Sequence, residues 1–120
     1  MYTAYMLTEE TITTLKSAFQ TVFPDFIGHH ITVRFGVSNS EPIPQFVDKI
    51  HVVGEAIHDG VQALLVSIDG NTIRGDGGSY HITWSIDRSK GKKPVDSNRI
   101  IQLARMVAPI KIEAIPALLL

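Results

Sequence analysis

Two hydrophobic periods alternate along the chain. Residues 2 to 7, YTAYML, read as a short strand ending at Thr8, a suitable N-cap with Glu9 and Glu10 behind it to complement the helix dipole. Ile12, Leu15, Ala18, Phe19 and Val22 then recur at helical spacing, predicting a helix over about 9–21 that Phe23-Pro24-Asp25 stops. Residues 29 to 36, HHITVRFG, alternate polar and apolar types and are rich in β-branched residues, as a strand requires. Residues 49–57 and 61–68 are two further strands, separated by His58-Asp59-Gly60, a hairpin-like break. A glycine-rich stretch over 74–79, RGDGGS, reads as a flexible flap leading into a strand at 80–86, YHITWSI. Asp96 or Ser97 then caps a second helix carrying Ile100, Ile101, Leu103, Ala104 and Val107, which Pro109 closes, and KIEAI at 111–115 is the last strand. This order of short strands and two helices predicts one compact α+β domain over residues 1–120.

Composition narrows the chemistry. With 44% hydrophobic residues in 120, the chain can bury a core of about two-thirds of its unfolded surface. Its net charge of −1 offers no broad basic face, so long duplex nucleic acid is not an expected partner. No apolar run approaches the roughly 20 residues of a membrane span, and MYTAYMLTEE lacks the charged and apolar regions of a secretory signal. A cytoplasmic protein with no membrane partner is therefore expected. Cysteine is absent, which removes thiol nucleophiles and Cys-based metal sites and leaves five histidines as the main reactive inventory.

Two of those histidines share a context. His30-Ile31-Thr32-Val33 is echoed by His81-Ile82-Thr83-Trp84. In a strand, residues two apart emerge on one face, so each motif offers an imidazole beside a hydroxyl while the isoleucine points to the core. If the two strands converge, two imidazoles and two hydroxyls share one cavity. Near their unperturbed pKa of about 6.5, the imidazoles divide the work of base and acid in phosphodiester cleavage. The hydroxyls donate to non-bridging oxygens, and neither a metal nor another cofactor is called for.

Paired H-x-T/S-x motifs define the 2H phosphoesterase superfamily, which this chain resembles over roughly residues 28 to 110. Lys93-Pro94-Val95-Asp96-Ser97-Asn98 is also similar to the K-P-x-E-S-N stretch in the cyclic phosphodiesterase domain of fungal-type tRNA ligases. A similar arrangement occurs in small phage phosphodiesterases that degrade cyclic-oligonucleotide immune signals. The resemblance implies two lobes of antiparallel sheet flanked by helices around a central cleft, with His30 and His81 as the acid/base pair and Thr32 and Thr83 as phosphate holders. It also implies hydrolysis of 3′–5′ linkages in cyclic di- or oligonucleotides in the host cytoplasm, or of 2′,3′-cyclic RNA ends. A sponge that binds such a ligand without turnover is a further reading.

Four other residues are candidates for substrate binding. Tyr5 offers a stacking face, Arg34 continues the row of His30 and Thr32, Ser85 continues the row of His81 and Thr83, and Glu113 is a carboxylate in an otherwise apolar strand. Trp84 is expected in the core. His29 points away from His30 under strict alternation, and His51 and His58 lack a threonine two residues on, so these three are expected bystanders.

Overall fold

Thr8 caps the first helix in the expected way: in the computed structural model, which describes all 120 residues, its hydroxyl accepts the Thr11 amide at 3.2 Å. Helix α1 runs Glu9–Ala18, after strand β1 at Tyr2–Leu7. The other strands are β2 (Asp25–Phe26), β3 (His30–Phe35), β4 (Ile50–His58), β5 (Val61–Ile68), β6 (His81–Ile86), β7 (Arg105–Ile112) and β8 (Ala114–Leu119). Asp59 and Gly60 join β4 to β5 with φ of 49° and 76°, the left-handed pair that a two-residue hairpin matching strand twist requires.

All eight strands form one antiparallel sheet in the order β7-β4-β5-β6-β3-β1-β8, with β2 on β6. The fold is α+β. Within the sheet its two halves are joined by a single register pair, Ile31 of β3 with Ile82 of β6. On one face, Leu15 of α1 and Phe19 at its C-cap pack with Ile31, Ile82 and Trp84, all buried. Each large side chain sequestered this way contributes roughly 1.5–3 kcal/mol. On the other face, Ala56, Val61, Ala63 and Ile86 lie under Ile100 and Ile101.

The second helix is shorter than its periodicity predicts. Helix α2 spans Ser97–Ile100, continues as a single 3₁₀ turn over Ile101–Leu103, and gives way to β7. Long-range pairing overrides local spacing here. Gly54 lets β7 approach closely, since a Cβ at that position would lie 3.0 Å from the Arg105 carbonyl oxygen, and Glu55 of β4 pairs with Arg105 at 3.2 Å. Pro109 falls between the paired residues Met106 and Ile110, where the edge strand leaves the ladder and needs no amide donor. The last predicted strand is likewise divided: Glu113 separates β7 from β8, and β8 carries the apolar C-terminal residues along β1, from Tyr2 opposite Leu119 to Leu7 opposite Ala114. No helix is long and apolar enough to cross a membrane.

Candidate active site

Antiparallel pairing of Ile31 with Ile82 places His30 level with Thr83 and Thr32 level with His81. The two motifs are therefore related by a local twofold axis through the isoleucine pair. His30, Thr32, His81 and Thr83 line a single cavity of about 270 Å³, together with Tyr2, Ile27, His29, Phe35, Arg88, Pro94, Val95 and Asn98. The isoleucines face the core, as strand alternation requires.

Each motif strand bulges at the residue after its threonine. Ala4 and Thr3, adjacent on β1, pair with Thr32 and Arg34, so Val33 is extra. Ala63 and Gln62, adjacent on β5, pair with Thr83 and Ser85, so Trp84 is extra. A bulge inserts one residue and reverses the facing of all that follows. Arg34 is consequently absent from the cavity wall: it is exposed and pairs with Glu41 at 2.9 Å, while Phe35 takes the cavity position. Ser85 is fully buried on the opposite side, donating to Gln62 Oε1 and accepting the Phe23 amide.

Tyr5 and Glu113 are also outside the site. Tyr5 pairs with Ile31 and shares its core face, and its hydroxyl donates to the Gln45 carbonyl at 2.7 Å. Glu113 uses its backbone, not its carboxylate: its carbonyl accepts and its amide donates to the Thr11 hydroxyl, tying the β7–β8 junction to α1. The aromatic rings that do reach the cavity are Tyr2, 5.3 Å from the His30 ring, and Phe35, 6.0 Å from Tyr2. Only the bulge, invisible in residue spacing, distinguishes Phe35 from Arg34.

His81 has a defined tautomer. Its Nδ1 lies 2.8 Å from the Ser79 carbonyl, which can only accept, so Nδ1 carries a proton and Nε2 is the nitrogen left for chemistry. Ser79 is placed by residues 74–79, which are cross-braced where their glycines predict a flap. Asp76 Oδ1 accepts from Arg74 Nε and from the Gly78 amide, both at 2.9 Å, and the Arg74 amide donates to the Gly78 carbonyl at 2.7 Å. The Arg74 side chain is 5% exposed, and one of its amino groups reaches Asn98 Oδ1 at 3.2 Å. Nothing in the local pattern around Arg74 signals that its guanidinium is buried.

The Lys93–Asn98 stretch closes over the second motif. Thr83 Oγ1 donates to the Pro94 carbonyl at 3.2 Å and lies 2.8 Å from Ser97 Oγ. The Thr32 hydroxyl has no protein partner. The two threonines are thus inequivalent despite the twofold: one proton is free for a ligand, while the other has a backbone acceptor.

Both motif imidazoles are held neutral near pH 7. Burial pushes His30 down to about 4, helped by the adjacent His29 and by His81. Burial also lowers His81, as does the Arg74 charge, against the opposing effects of the Ser79 hydrogen bond and Asp76. His29 also lines the cavity, where alternation predicts that it points away: it precedes β3, and its ring stacks on His30 at 4.4 Å with the two Nδ1 atoms in contact. No protein-family model, curated protein or solved structure matches this chain.

Proposed function

We propose that this domain is a metal-independent phosphodiesterase of the 2H type, hydrolysing 3′–5′ linkages of cyclic di- or oligonucleotides as a viral countermeasure to cyclic-nucleotide defence would. One observation carries the reading: the twofold at Ile31 and Ile82 brings two imidazoles and two threonines into one cavity. A sheet joined at that single pair is compatible with the two-lobed reading. His30 Nε2 accepts the proton of the attacking oxygen, either the substrate's own 2′-hydroxyl or water. His81, protonated once the phosphate anion supplies a counter-charge, delivers its Nε2 proton to the leaving oxygen as the phosphorus–oxygen bond breaks. Thr32 donates to a non-bridging oxygen that gains charge in the transition state.

The size of the site favours a substrate larger than one nucleotide. Phe35 is shared between the histidine cavity of about 270 Å³ and a second hollow of about 610 Å³ lined by Val33, Arg34, Gly75, Asp76 and Tyr80. A cyclic dinucleotide can lay one nucleotide in each. The smaller cavity alone suits a 2′,3′-cyclic RNA end, which is the alternative. Incubation with a cyclic dinucleotide panel and a 2′,3′-cyclic mononucleotide in excess EDTA, followed by mass spectrometry, tests the proposal. Cleavage is expected to fall at least about 100-fold in His30→Ala and in His81→Ala. Full activity in either variant overturns the assignment, and binding without turnover makes the domain a sponge.

A further inference from the structure

Three imidazoles, not two, meet at the cavity, and the third has no task in the two-histidine scheme. His29 and His30 are stacked with their Nδ1 atoms facing, and two facing imidazole nitrogens can hold only one proton between them. His30 therefore has Nε2 as the nitrogen left for the cavity. We propose that His29 is a positioning residue whose Nδ1 accepts the Nδ1 proton of His30, fixing His30 in the tautomer that presents an Nε2 lone pair to the attacking oxygen.

The choice of donor follows from exposure. His29 is exposed and can give its own Nε2–H to water, whereas His30 is half-buried against Tyr2. The arrangement then matches the other motif, where Nδ1 of His81 donates to the Ser79 carbonyl. One histidine is oriented by a backbone oxygen and the other by a neighbouring ring. A carboxylate in the place of His29 would stabilise the imidazolium and raise the pKa of His30; a neutral ring orients without doing so. The other titratable or charged groups around His30 are Tyr2 on β1, His81 on β6 and Arg88 in the 3₁₀ turn after β6, and none is a carboxylate. His29 lies just ahead of β3, outside the regular strand, so strand alternation does not set its side and its ring stacks on that of His30.

This inference assigns a role within the proposed phosphodiesterase, so its test includes a readout independent of turnover. His29→Asn keeps an acceptor near the position of Nδ1 but loses the ring, whereas His29→Phe keeps the stacked ring but loses the acceptor. Nitrogen-15 NMR of the imidazoles reports the tautomer of His30 in both variants, with His81 in the same spectra as a control for the folded site. The expected result is that Asn preserves the Nδ1–H tautomer and Phe abolishes it. On a 2′,3′-cyclic mononucleotide, kcat/KM should be near wild type for Asn and at least about 10-fold lower for Phe. A His30 tautomer no better preserved by Asn than by Phe overturns the proposal and makes His29 a packing residue. If the tautomers respond as stated while no phosphodiester is cleaved, the positioning role stands and the enzymatic reading fails.

Discussion

Val33 and Trp84 hold equivalent places in the molecule: each is the extra residue of a β-bulge, one position after a motif threonine, on β3 and on β6 respectively. The echo in the sequence is therefore an echo in backbone geometry as well. A bulge at this point ends the regular alternation of each motif, so that beyond His and Thr it is Phe35, not Arg34, that β3 turns to the cavity, and it increases the local twist of each strand.

The two threonines should separate stability from activity. Thr32→Val removes a hydroxyl with no protein partner, so stability to urea should stay within about 0.5 kcal/mol of wild type while phosphodiester cleavage falls. Thr83→Val leaves the fully buried Ser97 without its 2.8 Å partner and should cost about 1–3 kcal/mol. Paired urea denaturation and kinetics check both. Equal destabilisation by the two substitutions would contradict the inequivalence of the hydroxyls.

Gly28 should tolerate no side chain. An alanine Cβ would lie 2.1 Å from Phe26 Cζ, and the φ of 45° disfavours any L-residue. Phe26 cannot retreat freely, because its ring packs edge-on to Trp84 at 4.9 Å. Gly28→Ala should therefore cost about 1–3 kcal/mol and move His29 off His30, measured by urea denaturation and by the imidazole resonances.

How much of this was legible in the sequence depended on the range of the forces involved. The His-x-Thr pairs, the Thr8 cap and the Asp59-Gly60 turn are local features and were readable. Period-two alternation has no term for a bulge, so it puts Arg34 and Ser85, rather than Phe35, on the wall of the histidine cavity. Alternation extended back from β3 turns His29 away from the cavity, but His29 precedes the strand and does not obey it. The helical spacing from Ile100 to Val107 is real, but residues 105–112 satisfy their backbone groups by pairing with β4, some 50 positions earlier, and no local pattern records that. Tyr5 could be placed on a strand but not assigned to a face.

Arg74 should act on His81 through both placement and charge. Arg74→Met removes the guanidinium that braces Asp76 and reaches Asn98. Because Asp76 is half-exposed and can rehydrate, the loss should be about 1–3 kcal/mol, below that for a fully buried pair. The Arg74 charge is one of the influences lowering His81, so its removal should raise the His81 pKa, read by NMR titration. An unchanged His81 pKa would place Arg74 too far away to matter electrostatically.

Stability should fall with pH in a window set by the imidazoles. His30 has a folded pKa of about 4 against an ordinary 6.5, and His29 and His81 are lowered in the same direction. The unfolded chain therefore binds more protons than the folded one as pH drops below 6.5. The stability associated with a neutral site is fully present above that value and is lost progressively as pH falls towards 4. Asp59 and Asp76, whose carboxyls are held below their usual range, contribute in the same sense but only at the acid end. Urea midpoints between pH 7.5 and 5 isolate the imidazoles. The wild type should lose more stability over this interval than His30→Ala, whose alanine has no proton to take up. Inorganic phosphate should offset part of the wild-type loss, since an anion in the cavity favours the imidazolium. Parallel pH dependences for the two proteins would mean that His30 is not held neutral by its surroundings, and would remove the electrostatic basis for its role as the base.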